Sequence, residues 1–502
     1  MKKLLTLLFV AMTAVAAHAA DYIVPVTVTV NGISSEQTGI FTVNENNGLY
    51  DIILKNFILQ SEDGPMGVGN VELRGLKPYQ DGNATLLVTT DIVSITDGDD
   101  PSVSFWMAGL LPPVNVELRG KLEEDRLRCY LHIDLRETLG QTIQVAIGNG
   151  YQIANQGFEA WHASTDTYTE PNAWHSFESA TGALAVLAGH HIEKSGDAHS
   201  GEASARIFAT SLLGIIANGT MTTGRMNAGA FIAADPANHA YLDISMTDVD
   251  GNGDPFYTPL YSRPDSIAVW MKFSQGTPNA DHPYATISAV VTDGTRYQDP
   301  EDKDYANVVA KARNNQIATT NGQWTRVAAP FVYSEEPVSP RALLVTVSTN
   351  ADPGQGSTGD EVLVDDIELI YNAKVTGLRI KGREVPGFNT EEGLYEMELN
   401  EEVTADDIQV AASGRSAHVV KTVEAAGDHY LCRILSIGAD MKAMSAYTVH
   451  VRSSAAAVGS IASATGRPAA LYGLDGRQAR TLTPGRIYIC RQADGTVSKI
   501  RR

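Results

Sequence analysis

Residues able to do chemistry gather in the middle of the chain. Asp248, Asp250, Asn252 and Asp254 alternate with Val249, Gly251 and Gly253. Oxygen ligands at alternate positions followed by glycine open an EF-hand calcium loop. Here the twelfth position, where a bidentate Glu belongs, is Pro259, and the eighth is Pro255. The stretch therefore reads as a polar hairpin tip built on Asp, Asn and Gly turn chemistry. His190, His191, Glu193 and His199 offer ligands for a transition metal, but their spacing fits no helix or strand template, and a solvated loop accounts for them. Trp161, Tyr168 and Trp174 lie close together in sequence and could stack on sugar rings; Tyr284 and Tyr297 fall on later loops. Trp270 and Trp324 stand in strand-like contexts and read as core. There is no nucleophile elbow, zinc-protease helix, phosphate loop or dinucleotide fingerprint. With 59 acidic residues, two carboxylates spaced for glycoside hydrolysis would arise by chance, so a hydrolase stays open as an alternative to simple binding.

The elements that must position these groups read as strands almost throughout, an all-β chain. At 126–135, Leu127, Cys129, Leu131, Ile133 and Leu135 point one way; Arg128, Tyr130, His132 and Asp134 point the other. That period of two is a half-buried strand, with Cys129 a buried thiol. Similar strands are expected at 22–30, 38–43, 49–59, 66–76, 84–95, 114–122 and 141–147, with turn residues such as Asn31-Gly32, Asn47-Gly48 and Asp81-Gly82 between them. Eight strands in a meander suggest an antiparallel barrel, whose closure removes exposed edges. The hexapeptide at 70–75 recurs at 115–120, which predicts equivalent hairpins. This segment, 20–149, resembles the calycin-like barrels of Bacteroidetes surface proteins. Such barrels can hold a small apolar ligand, although side chains filling the interior are the commoner state.

Residues 150–372 change character: they carry four of the five tryptophans and longer polar loops. A short helix is expected at 304–313, with acids at its start and Lys311 and Arg313 at its end. The ordered segments are 155–161 (Asn-Gln-Gly-Phe-Glu-Ala-Trp), 200–207, 262–273, Gly322-Gln323-Trp324 and 359–371. Together they resemble the Bacteroidetes family described as a putative carbohydrate metabolism domain, which is similar to jelly-roll carbohydrate-binding modules. The resemblance implies a jelly roll whose first and last strands are neighbours, which brings Glu159 near Asp365. Two close carboxylates repel unless a proton or cation lies between them. Sugar-binding jelly rolls carry a structural Ca²⁺ at such a pair, with carbonyls from a Ser-Gly turn, here near Ser195 or Gly201. The alternative is that Glu159 and Asp365 only cap strand ends.

A smaller segment, 373–452, has strand-like runs at 375–380, 395–399, 408–412, 418–423, 430–435 and 447–451, the spacing of an immunoglobulin-like sandwich. Residues 453–464 have a Ser, Ala and Gly linker composition. The end, 468–502, places an Asp475-Gly476 turn, a Tyr488-containing strand and a basic terminus in order. It resembles the sorting tails of type IX secretion, which implies outer-membrane secretion machinery as a partner; a plain β-hairpin cap is the alternative. At the other end Lys2 and Lys3, an uncharged run and Ala17-His18-Ala19 form a secretory leader over 1–19. The leader run is too short to span a bilayer comfortably, and no other stretch is long and apolar enough to do so.

The formal charge of −21 repels nucleic acid and anionic lipid. Three distant cysteines give no disulfide framework. The expectation is an exported surface or secreted protein, with the periplasm as fallback. It would bind a glycan non-catalytically through Trp161, Trp174 and Tyr168, on a scaffold stiffened by Ca²⁺ at Glu159 and Asp365. A glycan-active hydrolase and an adhesive protein that binds another protein are the alternatives.

Overall fold

The computed structural model describes residues 18–453 except 32, 60–64, 124–125, 188 and 336, together with 470–473, 487–491 and 497–501. The leader call at 1–19 falls almost wholly outside the described residues, as do the linker and most of the tail. The protein is all-β; among the described residues the α-helix amounts to one turn, Arg136–Leu139. No helix of the described residues is long and apolar enough to cross a membrane.

The first domain is a nine-stranded antiparallel sheet: β1 (His18–Val30), β2 (Ile33–Asn46), β3 (Leu49–Leu59), β4 (Met66–Leu76), β5 (Pro78–Asp81), β6 (Ala84–Val93), β7 (Val114–Glu123), β8 (Arg126–Leu135) and β9 (Gln141–Ile147). Their order is β4-β3-β2-β1-β9-β8-β7-β6-β5. The two edge strands are consecutive in sequence, with only Lys77 between them. The sheet must therefore curl until its edges meet at that residue, because two residues of chain reach only about 7 Å. The 94–113 connection caps the free side of β4: Asn70 and Thr96 exchange both backbone bonds, and Met107 N–H donates to the Gly67 carbonyl. β5 is one strand more than the pattern suggested. The two copies of the hexapeptide differ in place, one on edge strand β4 and the other on β7 inside the sheet.

Side chains fill the curled interior, among them Phe41, Phe57, Leu73, Leu87, Leu118 and Leu131. Cys129 is buried there, and burial pushes its thiol up to about 12, so it is inert at neutral pH. The outward face of β8 is not solvated as its polar residues suggested. Arg128 and Tyr130 are buried. Arg128 donates to the Ile147 and Gly148 carbonyls and lies over the Tyr151 ring, and Lys121 lies over the same ring. Long basic stems can cover apolar surface while their heads find acceptors.

The middle domain packs two sheets face to face. One runs Ile192–Ser195, Ser204–Phe208, Glu361–Ile370, Ser266–Ser274, Thr325–Pro330. The other runs Thr220–Thr222, Ala342–Ser348, Ala285–Thr292, Val308–Ile317, Val332–Tyr333. The core between them includes Phe158, Trp174, Phe273, Ile287, Val345 and Val364. The expected helix at 304–313 is instead the start of strand Val308–Ile317, paired along Ala285–Thr292. Pairing and burial of β-branched Val308 and Val309 outweigh the end charges that suggested a helix.

The chain divides into two compact units. The second has a three-stranded sheet, Arg383–Glu384, Val375–Ile380, Ile408–Ala412. It also has a four-stranded one, Leu394–Glu398, Met444–Arg452, His429–Ile437, His418–Ala426, with its first pair parallel. Tyr395, Cys432, Ile434 and Tyr447 pack between them. Ala470–Gly473, Ile487–Arg491 and Val497–Arg501 form a separate antiparallel sheet.

Candidate functional site

Glu159 and Asp365 meet at one turn. Asp365 lies on strand Glu361–Ile370, which pairs with Ser204–Phe208, and the turn at 199–203 leads into that partner. Glu159 Oε1 accepts from the backbone N–H groups of Glu202 (2.9 Å) and Ala203 (3.2 Å). Asp365 Oδ2 accepts from those of His199 (2.7 Å) and Ser200 (3.1 Å), and its Oδ1 from that of Asp366 (2.8 Å). Asp366 takes the His199 ring at 2.6 Å and the Ser200 hydroxyl at 2.8 Å. A Ca²⁺ ion takes oxygen ligands, whereas this turn aims amides at both carboxylates. The arrangement is a hydrogen-bonded clamp.

Asp365 is fully buried. Burial, then the adjacent Asp366 charge, push its carboxyl up to about 7 against the pull of the three amides. The folded protein therefore holds a proton that the unfolded chain releases above the ordinary value of 3.8. Its contribution to stability is complete below that value and is lost as pH rises through about 7. In denaturant titrations, wild type minus Asp365→Asn is expected to show this fall between those pH values. A flat difference would contradict it. Gly201 closes the turn at φ +66°, and a Cβ there would stand 2.0 Å from Glu159 Oε1. Gly201→Ala is expected to destabilise by about 1–3 kcal/mol, read as a lower denaturation midpoint.

The histidines of the 190–199 run go to separate partners. His190 meets Glu178 and stacks on Tyr168 at 4.1 Å. His191 is buried between the Phe208 carbonyl and the Thr210 hydroxyl. His199 stacks on Trp270 at 3.8 Å, and Glu193 pairs with Arg206. The aromatic residues expected to hold sugar also part company. Trp174 is fully buried against Phe158 and donates its indole N–H to the Ala154 carbonyl, so it offers no stacking face. Trp161 is half-buried and donates to the Phe158 carbonyl. Tyr168 is exposed, on the His190 ring.

An open cleft of about 590 Å³ lies elsewhere, on the outer face of the second sheet. Along Ala285–Thr292 and Ala342–Ser348, residues 287, 289, 291, 343, 345 and 347 enter the core. The alternate residues face outward. At one end these are Val290, Leu344 and Ala342, covered by a small sheet through Met226, Ala240 and Leu242. Past its edge the outward residues turn polar, and Thr220, Thr286, Ser288, Asn315, Thr346 and Ser348 form the cleft floor. Leu184, Leu187, Leu212, Ile215 and Phe231 form the walls.

The floor is prearranged. Arg313 pairs with Asp299 at 2.9 Å, and the Ser288 hydroxyl donates to the same carboxylate at 2.7 Å. The Thr286 hydroxyl donates to Asn315 Oδ1 at 2.5 Å, which leaves the Asn315 amide N–H groups for a ligand. Asn218 donates to the Asn350 carbonyl, and its own Oδ1 is buried with no hydrogen-bond partner. Asp299 is the one carboxylate among the described lining residues. None of Trp161, Tyr168 and Trp174 lines this cleft. Sequence reading by aromatic content missed it. The signal was Thr and Ser at alternate positions in otherwise apolar strands.

No family model matches the chain, and no curated protein does. Solved structures give distant likenesses, two of which follow. One is a "putative glycoside hydrolase" from Bacteroides thetaiotaomicron, 14% identical with a TM-score of 0.34, over 61% of this chain and 87% of that one. The other is the M60 catalytic domain with the CBM51-1 and CBM51-2 domains of Clostridium perfringens ZmpB, 10% identical with a TM-score of 0.15, over 96% of this chain and 44% of that one. Neither likeness bears on the chemistry of the cleft.

Proposed function

We propose that the outer-face cleft binds a glycan without transforming it. The carrying observation is the floor of hydroxyl and amide groups from Thr220, Thr286, Ser288, Asn315, Thr346 and Ser348 between apolar walls. Sugar hydroxyls both donate and accept, which matches a floor that offers hydroxyls and amides. A cleft of this size with apolar walls and a few convergent polar groups is the usual form of a small-ligand site. Hydrolysis of a glycosidic bond ordinarily needs two carboxylates across the cleft. Among the described lining residues Asp299 is the one carboxylate, and it is tied to Arg313, which favours binding over catalysis.

A second reading has its own support. Leu213, Phe231 and Ile232 are exposed at 79%, 54% and 71%, and exposed apolar residues at a cleft mouth suit a protein partner. A glycan array followed by calorimetry on the full chain separates the readings. Glycan binding without release of reducing sugar supports the proposal. Reducing-sugar release supports the hydrolase, and no glycan binding at all sinks both sugar readings. The proposal includes export by the leader at 1–19 and surface delivery by the tail at 468–502. Fractionation of cells expressing a tail-deleted chain tests the second part.

A further inference from the structure

The hairpin tip at 248–254, set aside as turn chemistry, is docked over a buried cluster. Strands Trp161–Ala163 and Thr169–Pro171 pair so that His162 stands directly opposite Glu170, and His175 follows four residues after the pair ends. The tip brings Asp250 down onto them. Its Oδ1 accepts from the Asn252 and Asp254 backbone N–H groups at 2.9 and 2.8 Å. Its Oδ2 is left 3.4 Å from His162 Nε2 and 3.2 Å from His175 Nε2. The side chains are 9% (His162), 0% (His175) and 1% (Asp250) exposed, and Glu170 is fully buried.

These contacts are short but not made as hydrogen bonds. Twelve buried side-chain N and O atoms have no hydrogen-bond partner among the described residues, and five belong to this cluster: His162 Nε2, both His175 nitrogens, Asp250 Oδ2 and Glu170 Oε2. Such a concentration needs a cause, because each unmet buried polar group destabilises the fold. Asn172 Oδ1 faces His162 Nδ1 at 3.2 Å. That contact holds the proton on Nδ1 and turns the Nε2 lone pair toward the carboxylate, the usual outer support of a metal-bound imidazole. The Ser176 N–H and hydroxyl both hold Glu170 Oε1, which leaves Oε2 free in the same way that Asp250 Oδ2 is free.

The spacing fits a shared cation. Two ligands at about 2.0–2.1 Å from a tetrahedral ion stand about 3.3 Å apart, with their lone pairs converging beside the line between them. The observed 3.2 and 3.4 Å separations match that edge. We propose that His162, His175 and Asp250, with Glu170 as the fourth group, bind a divalent transition metal of the zinc class. Two imidazoles and two carboxylates suit such an ion. Among the described residues, no group of three His, Cys, Asp or Glu side chains is placed to hold a metal ion as it stands, so binding requires His162, His175 and Glu170 to close around Asp250. Its burial makes the site structural: it staples the 248–254 tip to the first hairpin of the middle domain.

The test uses the full chain, stripped with a chelator and dialysed. Calorimetric titration with Zn²⁺ is expected to show one site per chain and a raised Tm, and Ca²⁺ is expected to give neither. Co²⁺ in its place is expected to give the intense visible absorption of tetrahedral cobalt, a readout that needs no variant. His162→Ala and His175→Ala are each expected to weaken binding by more than about tenfold, and Asn172→Ala by about 10–100-fold. His190→Ala is expected to leave binding unchanged. No stoichiometric Zn²⁺ or Co²⁺ binding to the wild type would overturn the proposal. So would binding that survives in the His162→Ala, His175→Ala double variant. Either result leaves a buried His–Asp–His ion network instead.

Discussion

Trp174→Ala is expected to lower the unfolding free energy by about 3–5 kcal/mol, the range for removing a large aromatic ring from a packed core. The ring is fully buried, tilted on Phe158 at a centroid distance of 5.3 Å, and its N–H is held by the Ala154 carbonyl. Truncation removes the packing and leaves that carbonyl without its indole donor. Chemical denaturation with tryptophan-independent detection reads the loss. At temperatures where the variant is folded, glycan affinity is expected to stay within about twofold of wild type, because Trp174 does not line the cleft. An undiminished midpoint together with lost binding would restore Trp174 as a stacking platform.

That contrast shows what the sequence could and could not reveal. Strand positions in the barrel and in the immunoglobulin-like segment were legible because alternation of apolar residues is a local property. The pattern could not say what covers the outer face. Arg128 looked solvated and is buried under Tyr151. The Asp248-to-Asp254 run was read correctly as a hairpin tip, with Val249 bridging Pro255. Its meaning lies in Asp250 reaching His162 and His175, contacts that no local pattern carries. Glu159 and Asp365 both accept from the turn at 199–203. Whether amides or carbonyls face them depends on the turn at 199–203, and Gly201 alone did not disclose that. The cleft was illegible by aromatic counting because its floor is made of small hydroxyls and amides.

The second large effect belongs to that floor. Asn218→Ala with Asn315→Ala is expected to weaken glycan binding by at least about tenfold, which is about 1.4 kcal/mol. The pair removes two amide side chains of the cleft lining, including the Asn315 donors left free by Thr286. A hydrogen bond to ligand is worth about 0.5–1.5 kcal/mol, so two lost together reach the stated loss. Both residues lie on the cleft lining and outside the hydrophobic core. The denaturation midpoint is therefore expected to move far less than in Trp174→Ala.

The central claim is that the outer-face cleft, and not the Trp161–Tyr168 region, holds the glycan. Its most direct test is calorimetric titration of three full-length chains with a glycan retrieved from an array: wild type, the Asn218→Ala, Asn315→Ala double variant, and Tyr168→Ala. The expected result is binding by wild type and Tyr168→Ala with matching affinity, and a loss of at least about tenfold in the double variant. Unchanged affinity in the double variant, with loss in Tyr168→Ala, would contradict it.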